Sequence, residues 1–168
     1  QYALTQTRLA AIICYDIKTA FPALSRIHIF WILDVMGVPR RLRNVIYALY
    51  KLNRHVIMLN GREYSWIDIF AGCKQGCAMS MTIFTMCTDP FVRMMCHHLG
   101  RCSAISRLFC DDIAVAAQNY KKAFRIMAGV FLLLQNVAAL FVNADKTQVW
   151  LLGNVDEKSL RDWIARHV

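Results

Sequence analysis

The spacing of apolar residues changes along this chain, and the changes predict both strands and helices. The run 10–15 is short, apolar and β-favouring, which predicts a buried strand that ends at Asp16. Helical spacing follows over 22–36, where Gly37 supplies the stop, and again over 39–52. The beginning of the chain is therefore predicted to fold as one strand followed by two helices.

Two β-hairpins are predicted further along the chain. Alternating residues over 54–69 flank Asn60-Gly61, a pair that favours a type I′ turn because both central residues of that turn need positive φ. The apolar runs 104–110 and 113–117 are separated only by Asp111-Asp112, which predicts a tight hairpin with two carboxylates at its tip. Adjacent like charges repel each other, so the second hairpin is the more unusual of the two.

Helical spacing returns over 79–98, 120–140 and 156–166, and Pro90 predicts a kink or an interruption in the first of these helices. A final pair of strands is predicted to bracket 143–147. No linker composition or internal repeat divides the chain, which indicates one continuous unit. The element order predicts an α+β fold, an antiparallel sheet with helices packed on one face and an inserted β-hairpin.

Composition narrows the possible functions. With 57% hydrophobic and 18% charged residues among 168, the chain can build a full core, which excludes intrinsic disorder. The net charge of +9 is typical of a domain that meets a polyanion, either nucleic acid or an anionic membrane surface. The most apolar stretch, 126–142, carries Gln135 and Asn136 at its centre, which favours a buried helix over a membrane span. Seven cysteines without a disulfide spacing predict an intracellular protein, with nucleus and cytoplasm both open.

The positive charge is concentrated between Gly37 and Arg62, a segment without an acidic residue. A basic surface of this kind binds nucleic-acid phosphates, and a merely solvated basic face is the alternative. The six basic side chains are those of Arg40, Arg41, Arg43, Lys51, Arg54 and Arg62.

Asp111 and Asp112 are the residues that point most directly to chemistry. Two neighbouring carboxylates repel each other, and neither can enter the core unpaired. A divalent cation bound to both removes this repulsion. Mg²⁺ is held by one or two carboxylates together with substrate phosphates, and two such ions promote an in-line phosphoryl displacement. Asp16, at the end of another buried strand, joins the pair if the two strands are neighbours. A plain polar turn is the alternative, since turns favour Asp.

A second feature is the segment 72–77, in which two glycines bracket Lys74 and Gln75 just before a helix. Glycine permits close approach of the backbone to a ligand, and a helix N-terminus favours anions. A nucleotide-binding loop and a flexible connector both fit this segment. The nearby cysteines and histidines have no standard zinc spacing; they are Cys73, Cys77, Cys96, His97, His98 and Cys102.

Four segments, in this order, resemble the palm domain of a reverse transcriptase: 16–21 (DIKTAF), 74–80 (KQGCAMS), 109–112 (FCDD) and 143–147 (NADKT). The likeness extends over essentially the whole chain. It is nearest to non-LTR (LINE-type) retrotransposon enzymes and more distant from group II intron enzymes. The resemblance implies an RNA-directed DNA polymerase that adds deoxynucleotides to a primer 3′ end.

The resemblance implies a catalytic role for four residues. Asp16, Asp111 and Asp112 correspond to the metal-binding carboxylates of the family, which hold two Mg²⁺ or Mn²⁺ ions, and Asp112 is the least directly ligating of the three. Lys146 corresponds to a basic residue near the triphosphate that protonates the leaving pyrophosphate. These four residues are the catalytic set that the resemblance predicts.

The resemblance also implies residues that contact substrate. Phe21 corresponds to the aromatic side chain that excludes a ribose 2′-hydroxyl from the incoming nucleotide. Gln75 and Gly76 correspond to a pair that packs against the incoming nucleotide and the template. The implied partners are an RNA template, a DNA primer and deoxynucleoside triphosphates, with no membrane partner.

The chain also departs from the family pattern. Ala78, Met79 and Met81 replace three residues of a common Pro-Leu-Ser-Pro run, and Pro22 stands where the family usually has Asp. The chain begins at Gln1 without Met, so we expect a palm fragment, residues 1–168, with fingers and thumb missing or incomplete. Activity and inactivity of this fragment alone are both open. The alternative function is a catalytically silent palm remnant that only binds nucleic acid or a protein.

Overall fold

A computed structural model describes residues 9–51, 53–152 and 157–167. The seven strands are β1 (Ala11–Lys18), β2 (Arg54–Leu59), β3 (Arg62–Asp68), β4 (Ala104–Phe109), β5 (Asp112–Ala117), β6 (Phe141–Val142) and β7 (Gln148–Leu151). The six α-helices are α1 (Ala20–Ala23), α2 (Arg26–Val35), α3 (Arg40–Lys51), α4 (Ser80–Gly100), α5 (Tyr120–Ala138) and α6 (Glu157–His167). A short 3₁₀ helix (Ala144–Lys146) lies between β6 and β7.

The chain forms two compact units. The first unit combines the residues up to Lys18 with those from Thr88 onward, and the second unit spans 19–87. The chain passes between the units directly after β1 and again inside α4. No linker is needed at either point, which explains why composition alone indicated a single unit.

The first unit contains an antiparallel sheet of five strands in which β1 is central. On one side β1 pairs with β5, which in turn pairs with β4; on the other side β1 pairs with β6 and β7. Burial alternates along β1 and β5, so one face of each strand is in the core. The predicted α+β fold with an antiparallel sheet is confirmed.

Helix α5 covers the buried face of this sheet. Asn119 begins the helix by accepting a hydrogen bond from the Lys122 backbone N–H, at 3.2 Å. Tyr15 of β1 packs edge-on against Phe124 and Phe131 of α5, with ring centroids 6.1 and 4.8 Å away. Burial raises the pKa of the Tyr15 hydroxyl well above its usual range. This aromatic contact fixes β1 at the residue immediately before Asp16.

The second unit is organised around the Arg26 side chain. Its guanidinium donates hydrogen bonds to the carbonyl oxygens of Tyr50 at 2.8 Å and Ala71 at 3.1 Å. One cation therefore joins α2, the end of α3 and the segment that precedes α4. The predicted helix over 22–36 is divided, because Ser25 caps a new helix by accepting a hydrogen bond from the His28 N–H at 3.4 Å.

The β2–β3 hairpin of the second unit is exposed along both strands. Asn60 and Gly61 have φ of 50° and 74°, so the predicted type I′ turn is confirmed. In α4, Pro90 lies inside a helix that continues to Gly100, so of the two predicted alternatives, a kink or an interruption, the interruption is wrong and the kink stays a prediction. Among the residues described, no helix has the length and apolar character needed to cross a membrane.

Candidate active site

The backbone register places two of the predicted carboxylates opposite each other. Asp16 of β1 pairs directly with Asp112 of β5. Residues opposite each other in an antiparallel pair have their Cβ atoms about 4.5 to 5.5 Å apart. The side chains of such a pair lie on the same face, which here is the face of the sheet opposite to the buried residues Tyr15 and Ile113.

Asp111 lies in the turn and not in the ladder. The pair Phe109 and Asp112 closes the hairpin, so its two turn residues are Cys110 and Asp111. The predicted tip, Asp111-Asp112, is thus shifted by one residue, because Asp112 still pairs with β4. Asp112 is exposed and Asp111 is partly exposed.

The turn itself has an unfavourable backbone conformation. Cys110 has φ of 56°, whereas Asp111 is not among the residues with positive φ. Positive φ at the first central residue of a two-residue turn is a conformation that glycine adopts more readily than other residues. A side chain there costs about 1–2 kcal/mol. Strain of this kind persists at functional sites when the surrounding structure imposes it.

The Asp16 carboxylate has two polar neighbours from the connection between β6 and β7. The Asn143 side-chain amide donates a hydrogen bond to Asp16 Oδ2 at 3.1 Å. Lys146 Nζ forms an ion pair with the same oxygen at 3.5 Å. The Asp16 side chain is 22% exposed and that of Lys146 is 68% exposed. The positive charge of Lys146 therefore offsets part of the repulsion between Asp16 and Asp112.

The donor set suits a hard divalent cation. Mg²⁺ is typically held by one or two protein carboxylates, and its other ligands come from water and substrate phosphates. The opposed pair Asp16 and Asp112 fits this mode. In the described parts of the chain, no group of three acidic, histidine or cysteine side chains is arranged to hold a metal ion. Asp111 is thus not gathered with the other two into a three-ligand group, since it occupies the turn.

The remaining predicted substrate residues lie in the second unit. Phe21 stacks on Phe84 of α4, with ring centroids 4.6 Å apart and planes inclined by 24°. The carbonyl oxygen of Phe21 accepts a hydrogen bond from the Cys73 N–H at 2.8 Å. Phe21 is therefore attached directly to the segment that contains Gln75 and Gly76, both of which are exposed.

Gly72, the first glycine of the segment 72–77, is required by a close backbone contact. Its φ is 80°, and a Cβ atom there would lie 2.4 Å from the carbonyl oxygen of Pro22. Any side chain would force the two backbones apart, so glycine is required. At the other end of the segment, Ser80 Oγ donates to the Lys74 carbonyl at 2.6 Å. The segment 72–77 is thus tied to its own unit at both ends, which contradicts a flexible connector.

The cysteines near this segment differ in acidity. Burial raises the pKa of the Cys73 thiol to about 11 and that of Cys87 to about 12. A hydrogen bond from the Met79 backbone N–H lowers the pKa of the Cys77 thiol. All seven cysteines lie in the described ranges, and none of them forms a disulfide.

Two of the six basic side chains between Gly37 and Arg62 are neutralised by acidic residues outside that segment. Arg43 forms a salt bridge with Asp34. Arg54 Nε lies 3.0 Å from Asp68 Oδ1, and its guanidinium also lies over the Trp66 ring. The count of unopposed charges from sequence was therefore too high, because spacing along the chain does not show cross-strand and interhelical pairs.

The residues that the sequence did not reveal are mostly those that position other residues through hydrogen bonds or backbone contacts. Asn143 was part of a quoted segment without a role, and Cys110 was included in a strand. Arg26 had no assigned role, and Gly72 was expected to permit close approach of a ligand, whereas the close neighbour is the Pro22 backbone. An Asn three residues before the implied basic residue, on a predicted bend, was the one available signal.

The chain is similar to known proteins both in sequence and in fold. The chain matches the reverse transcriptase (RNA-dependent DNA polymerase) family over residues 2–163. The mixed helix and antiparallel sheet has a reverse transcriptase palm-like fold. The match covers almost the whole chain, and the protein belongs to the reverse transcriptase family.

Solved telomerase structures have a similar fold. A telomerase from Candida tropicalis truncated from its C-terminal domain gives a TM-score of 0.65 at 16% identity, over 88% of this chain and 31% of that chain. Another apo telomerase from Candida tropicalis gives 0.68 at 13% identity, over 87% and 29%. A Candida albicans telomerase in complex with a fragment of telomeric RNA gives 0.60 at 13% identity, over 84% and 28%. This chain therefore spans less than a third of each of those chains.

Proposed function

We propose that this chain is the palm of an RNA-directed DNA polymerase, which extends a primer 3′ end by template-directed nucleotidyl transfer. Membership of the reverse transcriptase family supports this activity. The observation that carries it is the direct pairing of Asp16 with Asp112 next to a strained turn that contains Asp111.

In this proposal the carboxylates of Asp16, Asp111 and Asp112 would hold two divalent ions, either Mg²⁺ or Mn²⁺. Asp111 would join the opposed pair Asp16 and Asp112 from the adjoining turn when the ions bind. Such ions lower the charge on the reacting phosphate and stabilise the attacking and leaving oxygens. Within the protein, Asp16 is already oriented by Asn143 and partly neutralised by Lys146. The Lys146 ammonium, which is mostly exposed, is a suitable proton donor for a leaving pyrophosphate.

Phe21, Gln75 and Gly76 are the residues that select the substrate in this proposal. The Phe21 ring is fixed by stacking on Phe84, and a rigid bulky ring suits exclusion of a 2′-hydroxyl. Gln75 and Gly76 offer an exposed amide and an accessible backbone for contact with the incoming nucleotide and template. The substrates in this proposal are deoxynucleoside triphosphates, an RNA template and a DNA primer.

We propose further that the chain derives from a non-LTR retrotransposon enzyme and works inside the cell, in nucleus or cytoplasm. The segments around Asp16, Gln75, Asp111 and Lys146 support the first point through their resemblance to that group. Seven cysteines without a disulfide support the second. Fingers and thumb segments complete the enzyme in this proposal.

Primer extension by the full-length protein tests the activity. Asp16→Asn removes a charge without changing the shape of the side chain, and we expect extension to fall by at least about 100-fold, since even indirect partners of a metal contribute 10- to 100-fold. Asp145→Asn is the matched control, because Asp145 is exposed on the same connection and should lose less than about 2-fold. Chelation of divalent ions should abolish extension by the unaltered protein.

One outcome would replace this function by another. Nucleic-acid binding without any metal-dependent extension, in the full-length protein and in Asp16→Asn alike, would identify a silent palm remnant that acts only as a binding module. The altered residues Ala78, Met79 and Met81 are the observation that motivates this second candidate.

A further inference from the structure

Asn143 makes an unusual number of contacts for a residue between two short strands. Its backbone N–H donates to the Asp16 carbonyl oxygen at 2.8 Å, and its side-chain amide donates to Asp16 Oδ2 at 3.1 Å. Main chain and side chain of one residue thus bind main chain and side chain of another. The backbone bond fixes the position of the Asp16 main chain, and the side-chain bond fixes the orientation of its carboxylate.

The carbonyl oxygen of Asn143 is also used. It accepts a hydrogen bond from Thr147 Oγ1 at 2.9 Å and one from the Lys146 N–H at 3.3 Å. These bonds close the 3₁₀ helix that carries Lys146. Asn143 therefore connects the predicted metal ligand, Asp16, with the predicted proton donor, Lys146.

The chemistry of the contact requires an amide. An ionised carboxylate only accepts hydrogen bonds, so the nitrogen of the Asn143 side chain must face Asp16. A donor that carries no charge orients the carboxylate and leaves its negative charge available to a cation. Both side chains that contact Asp16 approach Oδ2, so the contacts leave Oδ1 to other ligands.

We propose that Asn143 is a positioning residue, which orients the Asp16 carboxylate for a divalent cation and holds the Lys146 turn beside it. The role rests on the proposed function, because it acts through Asp16. Outer residues that hydrogen-bond to ligating carboxylates typically contribute 10- to 100-fold to metal affinity or activity.

Binding of Mn²⁺ alone, followed by electron paramagnetic resonance on the full-length protein, tests this role without an activity assay. Asn143→Ala and Asn143→Leu both remove the donor, and Leu also keeps a side chain branched at Cγ. We expect either variant to weaken Mn²⁺ binding about 10-fold. If Asn143→Ala fails to fold, Asn143→Leu decides the question.

Two controls separate the possible failures. Asn136→Ala makes the same change on the exposed face of α5, in the same unit, and should leave Mn²⁺ affinity unchanged. Asp16→Asn should abolish the site. Loss of Mn²⁺ binding in Asp16→Asn together with unaltered binding in both Asn143 variants would overturn the positioning role alone. Equal Mn²⁺ binding by Asp16→Asn and the unaltered protein would overturn the proposed metal site and this inference with it.

Thr147→Val tests the hydrogen bond to the Asn143 carbonyl oxygen separately from the bond between Asn143 and Asp16. It removes the hydroxyl that donates to the Asn143 carbonyl but leaves the amide on Asp16. We expect the maximal rate of extension to fall severalfold while Mn²⁺ affinity stays within about 2-fold, because only the Lys146 turn is loosened. A parallel loss of Mn²⁺ affinity in Thr147→Val would contradict this separation.

Discussion

The two β-hairpins of this protein have similar lengths and very different surroundings. In β4–β5, one strand pairs with β1 and presents alternate residues to the core. In β2–β3, every residue of both strands is exposed. The exposed hairpin has the easily formed Asn60-Gly61 turn, whereas the packed hairpin has a strained turn at Cys110. Packing in the sheet supplies the free energy that maintains an unfavourable turn beside the carboxylates.

The largest expected difference between the hairpins concerns buried side chains. Val115 of β5 is 0% exposed and Val56 of β2 is 51% exposed. Val115→Ala should lower the free energy of unfolding by about 2 kcal/mol, because it removes two buried methyl groups and leaves a cavity. Val56→Ala should cost less than about 0.5 kcal/mol, and chemical denaturation measures both. Equal losses would mean that another surface covers β2–β3 in solution.

The sequence predicted the turn of the exposed hairpin correctly because Asn60-Gly61 determines its own conformation locally. It misplaced the turn of the packed hairpin by one residue, since Cys110 has no intrinsic preference for positive φ. The register between β1 and β5 determines that turn, and register is a property of the assembled sheet. Local sequence therefore predicts a turn correctly where contacts with other strands do not impose a different conformation.

The same distinction holds at the site. Asp16 was predictable because a charged residue directly follows an apolar run in the sequence. The predicted end of the strand at Asp16 is wrong, because β1 continues to Lys18 through its pairing with β6. Its partner Asn143 lies 127 positions away along the chain, and its hydrogen bond depends on the pairing of β6 with β1. Residues that act through another residue have no sequence pattern of their own, which is why the orienting contact appeared only in the structure.

The turns themselves provide a second, smaller test. Cys110→Gly should raise the free energy of unfolding by about 1 kcal/mol, because glycine adopts positive φ without the steric cost of a side chain. Gly61→Ala should lower it by about 1 kcal/mol for the opposite reason. Thermal unfolding of the two variants measures both signs. If Cys110→Gly were instead destabilising, contacts of the Cys110 side chain would outweigh the strain.

The smallest expected effect concerns nucleic-acid binding by the two hairpins, and it uses a matched pair of exposed arginines. Arg62 begins β3 within the basic segment, and Arg107 lies in β4. Each phosphate that a protein neutralises contributes about 0.7 to 0.9 to the slope of log affinity against log salt concentration. If the β2–β3 hairpin contacts the backbone of a primer–template duplex, Arg62→Gln lowers the slope by that amount, whereas Arg107→Gln leaves it unchanged.

Binding measured by fluorescence anisotropy between 50 and about 200 mM salt, the range over which counterion release dominates, resolves the two slopes. A lower slope for Arg107→Gln alone would assign the phosphate contact to β4–β5, and the β2–β3 hairpin would then be an ordinary solvated basic face.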